Sequence, residues 1–122
     1  DRVAIITNAG GPGIMAADAV EHSGMSVGTL GGGTATALRN KLPAAASVGT
    51  PIDVLGDADP ERYVAALEAA QDDPGVDAIL VLLIVLPSAA VYAVIWNPQV
   101  TRLFPSIMSI GISRMRIIFM NF

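Results

Sequence analysis

The residues best suited to chemistry in this chain of 122 amino acids lie in the short stretch Asn8-Ala-Gly-Gly-Pro-Gly13. Gly10, Gly11 and Gly13 carry no Cβ atom to hold a ligand away from the backbone. Pro12 suits the start of a helix, where a missing N–H costs nothing. A helix opened at this point presents unspent amide donors and the positive end of its dipole, an arrangement that suits an anion and most naturally a phosphate. The turn is neither G-x-G-x-x-G nor a Walker loop, so a purely structural strand-to-helix turn fits the same residues. Among the carboxylates, Asp57, Asp59 and Glu61 lie close enough together to suggest a metal cluster. Helix capping and a solvated first turn explain them more simply. Asp72, Asp73 and Asp77 read as turn residues, since no histidine or further carboxylate falls at ligand spacing near them.

The elements that must position this turn follow from periodicity. Val3 to Ile6 is a β-branched apolar run ahead of the glycines, and Ile14, Ala17 and Val20 recur behind them at helical spacing, so the order is strand, turn, helix. The helix is expected to end near Ser23-Gly24, with Gly24 as a left-handed cap. Met25 to Leu30 reads as a second strand. Thr34 can cap a short helix running through Leu42, where Pro43 stops it. Pro51 to Leu55 reads as a brief strand, and Asp59-Pro60 as a cap followed by proline at the first helical position. Tyr63, Ala66, Leu67 and Ala70 form the stripe that this third helix buries, and Asp72 to Gly75 closes it. Val76 to Val85 is an unbroken apolar run of the kind a strand shows when covered on both faces. Strands alternating with helices predict an α/β fold, a parallel sheet with helices on both faces.

Composition narrows the classes. A chain of this length can bury one core, so one domain or a piece of one is expected. Cysteine is absent, which removes disulfides and thiolate chemistry and fits a reducing cytoplasm. A net charge of −4 with no basic cluster argues against a nucleic-acid surface. The apolar start Val3 to Thr7 is too short for a secretory signal. The averages conceal a break. Every acidic residue lies between Asp1 and Asp77, and Tyr63 is the only aromatic residue before position 90.

Four separated stretches together resemble the NDP-forming acyl-CoA synthetases, the ADP-forming acetate–CoA ligase family, itself similar to succinyl-CoA synthetase. They are Thr7-Asn-Ala-Gly-Gly-Pro-Gly-Ile-Met-Ala-Ala-Asp18, Leu42-Pro-Ala-Ala-Ala-Ser-Val-Gly49, Pro51-Ile-Asp-Val-Leu-Gly-Asp-Ala-Asp-Pro-Glu-Arg-Tyr63 and Val76-Asp-Ala-Ile-Leu-Val-Leu-Leu83. The resemblance covers residues 2 to about 83 and implies a flavodoxin-like or Rossmann-like domain, incomplete at its C-terminal end. It implies a part of a ligase that interconverts acyl-CoA, ADP and phosphate with the free acid, CoA and ATP. In that family a phosphohistidine carries the phosphoryl group between a CoA site and an ATP-grasp nucleotide site. The domain resembled here lacks that histidine and helps frame the phosphoryl-transfer site.

On that resemblance Asn8, Gly10, Gly11 and Gly13 supply donors to phosphate or phosphohistidine, and Pro51 with Asp53 shapes the neighbouring loop. ATP or ADP, Mg and CoA are implied for the whole enzyme, none of them bound by this stretch alone. The implied partners are the phosphohistidine loop of a CoA-binding domain and an ATP-grasp domain or subunit, in the cytoplasm. The chain is expected to be inactive by itself. His22, its sole histidine, is a poor carrier: it sits near the end of the first helix, where an imidazole beside the terminal carbonyls is ordinary. Where the family usually has Asn before the proline, this chain has Thr50.

Two other readings compete. One is the similar ligase-like region of bacterial protein lysine acetyltransferases, which binds and regulates. The other is a membrane-anchored small-ligand module built on the uncharged run Ala78 to Trp96, close to the ~20 residues of a span. Pro87-Ser88 would break such a helix, which makes a membrane span the weaker expectation. The division expected from the sequence is therefore residues 1–84 as the partial flavodoxin-like domain and 85–122 as an apolar tail unlike the family. A shifted reading frame, a fusion or a truncated gene would account for the tail.

Overall fold

A computed structural model describes residues 1–84 and, by backbone pairing alone, 117–121. Strand β1 (Arg2–Thr7) is its axis. Helix α1 (Gly10–His22) follows, then β2 (Ser26–Val27), α2 (Gly32–Arg39), β3 (Ile52–Asp53), α3 (Pro60–Asp72), β4 (Ala78–Leu83) and β5 (Ile117–Asn121). Every pairing between these strands is parallel. β4 lies along one edge of β1 from Val3↔Ala78 to Thr7↔Leu82, and β5 continues the sheet beyond β4. The other edge of β1 is shared end to end. β2 pairs with its start at Arg2 and Val3, and β3 with its end at Ile6 and Thr7.

Side-chain alternation along β1 feeds two separate cores. Ala4 and Ile6 join Ile52, Val54, Ile79 and Val81 beneath α2 and α3, which contribute Leu38, Tyr63, Ala66, Leu67 and Ala70. Val3 and Ile5 point the other way, to Val20 of α1 and Leu82 of β4. The α/β parallel sheet with helices on both faces expected from the sequence is the architecture observed. Full burial of each large side chain here contributes roughly 1.5–3 kcal/mol.

Local chemistry sets the helix ends. Asp59 caps α3 by accepting from the Arg62 amide at 3.0 Å, with Pro60 as the first helical residue. Gly24 closes α1 at φ +81°, the left-handed conformation that favours glycine. α2 differs from expectation: its N-cap is Gly31, with no side-chain cap, and the helix stops at Arg39 instead of Leu42. The Thr34 hydroxyl acts on Asp73 instead, helping to hold its carboxyl below the ordinary carboxylate value. Buried Asp73 accepts from the Gly31 amide at 2.8 Å and the Gly75 amide at 2.7 Å, tying the end of α3 to the start of α2. Both expected strands Met25–Leu30 and Pro51–Leu55 shorten to two residues each. The two strands divide one edge of the six-residue β1 between them, which limits the length of each.

At the amino end of the sheet Arg2 clamps Asp77. Its backbone N–H reaches Oδ2 at 2.8 Å, Nε reaches Oδ2 at 3.0 Å and Nη2 reaches Oδ1 at 3.0 Å. Nη2 also donates to the Pro74 carbonyl at 2.8 Å. This clamp holds the Asp77 carboxyl well below the usual carboxylate range. The first residues of the uncharged run Ala78 to Trp96 form β4, not helix, and its part from residue 85 lies outside the described residues. Among the described residues no helix is long and apolar enough to cross a membrane.

Candidate functional site

The glycine turn stands at the carboxyl end of β1, between β3 and β4. Two side chains fix its approach. Fully buried Thr7 uses its hydroxyl twice, accepting from the Ala9 amide and donating to the Ala9 carbonyl, both at 3.0 Å. Asn8 spends its side-chain amide on Ile84, with Oδ1 accepting from the Ile84 N–H at 2.9 Å and Nδ2 donating to the Ile84 carbonyl at 3.0 Å. That pair extends the β1–β4 ladder one rung past Leu82 and Leu83, through a side chain in place of a backbone.

α1 then opens with Ala9 as N-cap and no side-chain cap. The Gly13 amide already donates to the Ala9 carbonyl at 3.1 Å, closing the first helical turn. Pro12 has no N–H. The donors left without an intrahelical acceptor are therefore those of Gly10 and Gly11. Gly11 has open space around the position a Cβ would take, whereas a Cβ on Gly10 would lie 3.2 Å from Asp53 Oδ2.

Gly13 serves a different need. A methyl group there would come within 2.8 Å of both Pro51 Cγ and Thr7 Cγ2. The β3 loop can pack against α1 only because this residue is glycine. Pro51 follows a cis peptide bond, and the chain beyond it is pinned in three ways. Ser47 and Asp53 exchange backbone hydrogen bonds at 3.0 Å, and the Val54 amide donates to the Thr7 carbonyl at 2.8 Å. Asp53 Oδ1 accepts from the Leu55 amide at 2.9 Å, where Leu55 adopts φ +74°.

Of the six residues singled out in sequence, the structure brings five side by side: Gly10, Gly11, Gly13, Pro51 and Asp53. Asn8 adjoins them with its side chain turned to Ile84. The roles separate more sharply than sequence suggested. Gly10 and Gly11 hold the unspent donors, Gly13 and Pro51 form a packing contact, and Asp53 puts a carboxylate beside the first turn. Thr7 and Ile84 were not singled out. Thr7 follows an apolar run and could have been found as a hydroxyl at a strand's end, whereas the Ile84 partnership spans 76 positions and leaves no local signal.

His22 stands at the far end of α1, roughly 18 Å along the axis at 1.5 Å per residue, with Nδ1 2.7 Å from the Asp18 carbonyl. Asp57 pairs with Arg62 at 2.8 Å, which lowers its pKa, and Asp59 is the α3 cap. Among the described residues no group of three or more His, Asp or Glu side chains is placed to hold a metal ion. Unspent backbone amides at a helix start are the kind of donors that suit a small anion, and here the Asp53 carboxylate stands beside them as a negative charge on one side.

Comparison with known proteins places the chain in a family. The Ligase-CoA domain matches residues 3–113, a span that runs past Leu83. The chain is 41% identical over 82 residues to acetate–CoA ligase [ADP-forming] I of Archaeoglobus fulgidus, covering 67% of this chain and 12% of that protein. It is 40% identical over 90 residues to the alpha subunit of acetate–CoA ligase [ADP-forming] II of Pyrococcus furiosus, covering 74% and 20%. It thus spans only a small part of the curated relatives it matches.

Among solved structures, a Pyrococcus horikoshii OT3 protein superposes with TM-score 0.81 at 29% identity, over 99% of this chain and 27% of the other. The dinucleotide-forming acetyl-coenzyme A synthetase 1 of Ca. Korarchaeum cryptofilum, solved with phosphate and ADP, superposes with TM-score 0.79 at 22% identity, over 98% and 25%, and shares the fold. With most of its length matched, the chain belongs to the Ligase-CoA domain family.

Proposed function

We propose that this chain is the part of an ADP-forming acyl-CoA ligase, of the acetate–CoA type, that helps frame the phosphoryl-transfer site. The observation that carries the reading is the pair of unspent Gly10 and Gly11 amides at the positive end of α1, at the carboxyl edge of a parallel sheet, where open α/β folds place ligands. Family membership supports the assignment to a ligase. In this reading Gly10 and Gly11 donate to the phosphoryl oxygens, while Asn8 and Gly13 hold the turn in place from behind. Pro51 and Asp53 wall the same turn.

The remaining chemistry belongs to other parts of the enzyme. A phosphohistidine loop on a CoA-binding domain brings the phosphoryl group, and an ATP-grasp domain or subunit holds ATP or ADP with Mg. CoA binds outside this stretch, and the stretch alone is inactive. The same reading puts the enzyme in the cytoplasm.

Asp53 provides the test. A phosphate on the Gly10 and Gly11 amides would share the turn with this carboxylate. At ~6 Å two unit charges repel by about 0.7 kcal/mol in water, and by about 3 kcal/mol at an effective dielectric constant of 20. Asp53→Asn should therefore tighten inorganic phosphate binding by about three-fold or more in a calorimetric titration. Saturable binding that strengthens in the variant supports the site. No binding by either protein overturns it.

A further inference from the structure

We draw no further inference here: the strongest candidate, the apolar groove between α1 and β4 bounded by Pro12, Met15, Ala19, Met25, Leu80 and Ile84, is a face unpartnered among the described residues, and nothing in the structure shows what covers it.

Discussion

Replacing Gly13 by alanine and, separately, Gly11 by alanine should move stability in opposite directions, although both residues lie in the first turns of one helix. At Gly13 the new methyl meets Pro51 Cγ and Thr7 Cγ2 at 2.8 Å, well inside the ~3.5–4.0 Å of a comfortable carbon contact. Neither neighbour can yield cheaply. Thr7 is fully buried with its hydroxyl committed to Ala9, and Pro51 is a rigid ring in a loop pinned by Ser47 and Asp53.

Overpacking of this kind costs about 1–3 kcal/mol. The helix-propensity gain of alanine over glycine, about 0.8–1.0 kcal/mol, offsets part of it. A net loss of up to about 2 kcal/mol is expected. At Gly11 nothing lies within 4 Å, so only the gain remains, and the variant should be more stable by about 0.5–1 kcal/mol. The two variants then differ by about 2 kcal/mol. With a urea m-value of ~1–2 kcal/mol/M, their unfolding midpoints should lie about 1–2 M apart. Equal midpoints, or a Gly13→Ala protein at least as stable as wild type, would refute the packing role assigned to Gly13.

Three further outcomes are expected. Asp59→Ala removes the side-chain acceptor for the Arg62 amide and should cost about 1 kcal/mol in urea unfolding. Among the described residues, buried Tyr63 has no hydrogen-bond partner for its hydroxyl, and burial raises its pKa; Tyr63→Phe should therefore leave stability unchanged or raise it by about 1 kcal/mol, since an orphaned hydroxyl is removed. A clear loss would reveal a partner. Acid should destabilise the fold through Asp73 and Asp77, both held below the ordinary carboxylate value, Asp73 chiefly by the Thr34 hydroxyl and Asp77 by the Arg2 guanidinium. Their folded-state pKa values lie under the unfolded ~3.9, so their contribution is complete above that value and disappears as pH falls through the folded ones. Urea midpoints measured downward from pH 6 should fall below about pH 4, and less steeply in Asp73→Asn.

Much of the fold could be read along the chain because its signals are local. The α3 stripe of Tyr63, Ala66, Leu67 and Ala70 and the Asp59-Pro60 start needed only periodicity and capping chemistry, and the structure buries all four stripe residues. β2 and β3 were overextended because an alternating pattern does not reveal that two strands must share one edge of β1. Thr34 suggested a cap because capping is the nearest use for a threonine; the hydroxyl instead lowers the pKa of Asp73, 39 positions away. The Arg2–Asp77 clamp likewise joins residues 75 positions apart.

The candidate site was legible as a location more than as a set of roles. Glycines mark where a backbone comes close to something. Only three-dimensional packing separates Gly13, pressed against Pro51, from Gly11, where the position of a Cβ is open among the described residues. Asn8 looked like a donor to a ligand until its amide found Ile84 across the strand ends.

The proposed site is defined by the backbone amides that meet the anion. Residue-resolved ¹H–¹⁵N spectra recorded during titration with inorganic phosphate test it most directly. Saturable shifts concentrated at Gly10 and Gly11 are expected, with Gly13, whose N–H is held by the Ala9 carbonyl, moving far less. Shifts absent from Gly10 and Gly11, or spread evenly over the chain, would contradict it.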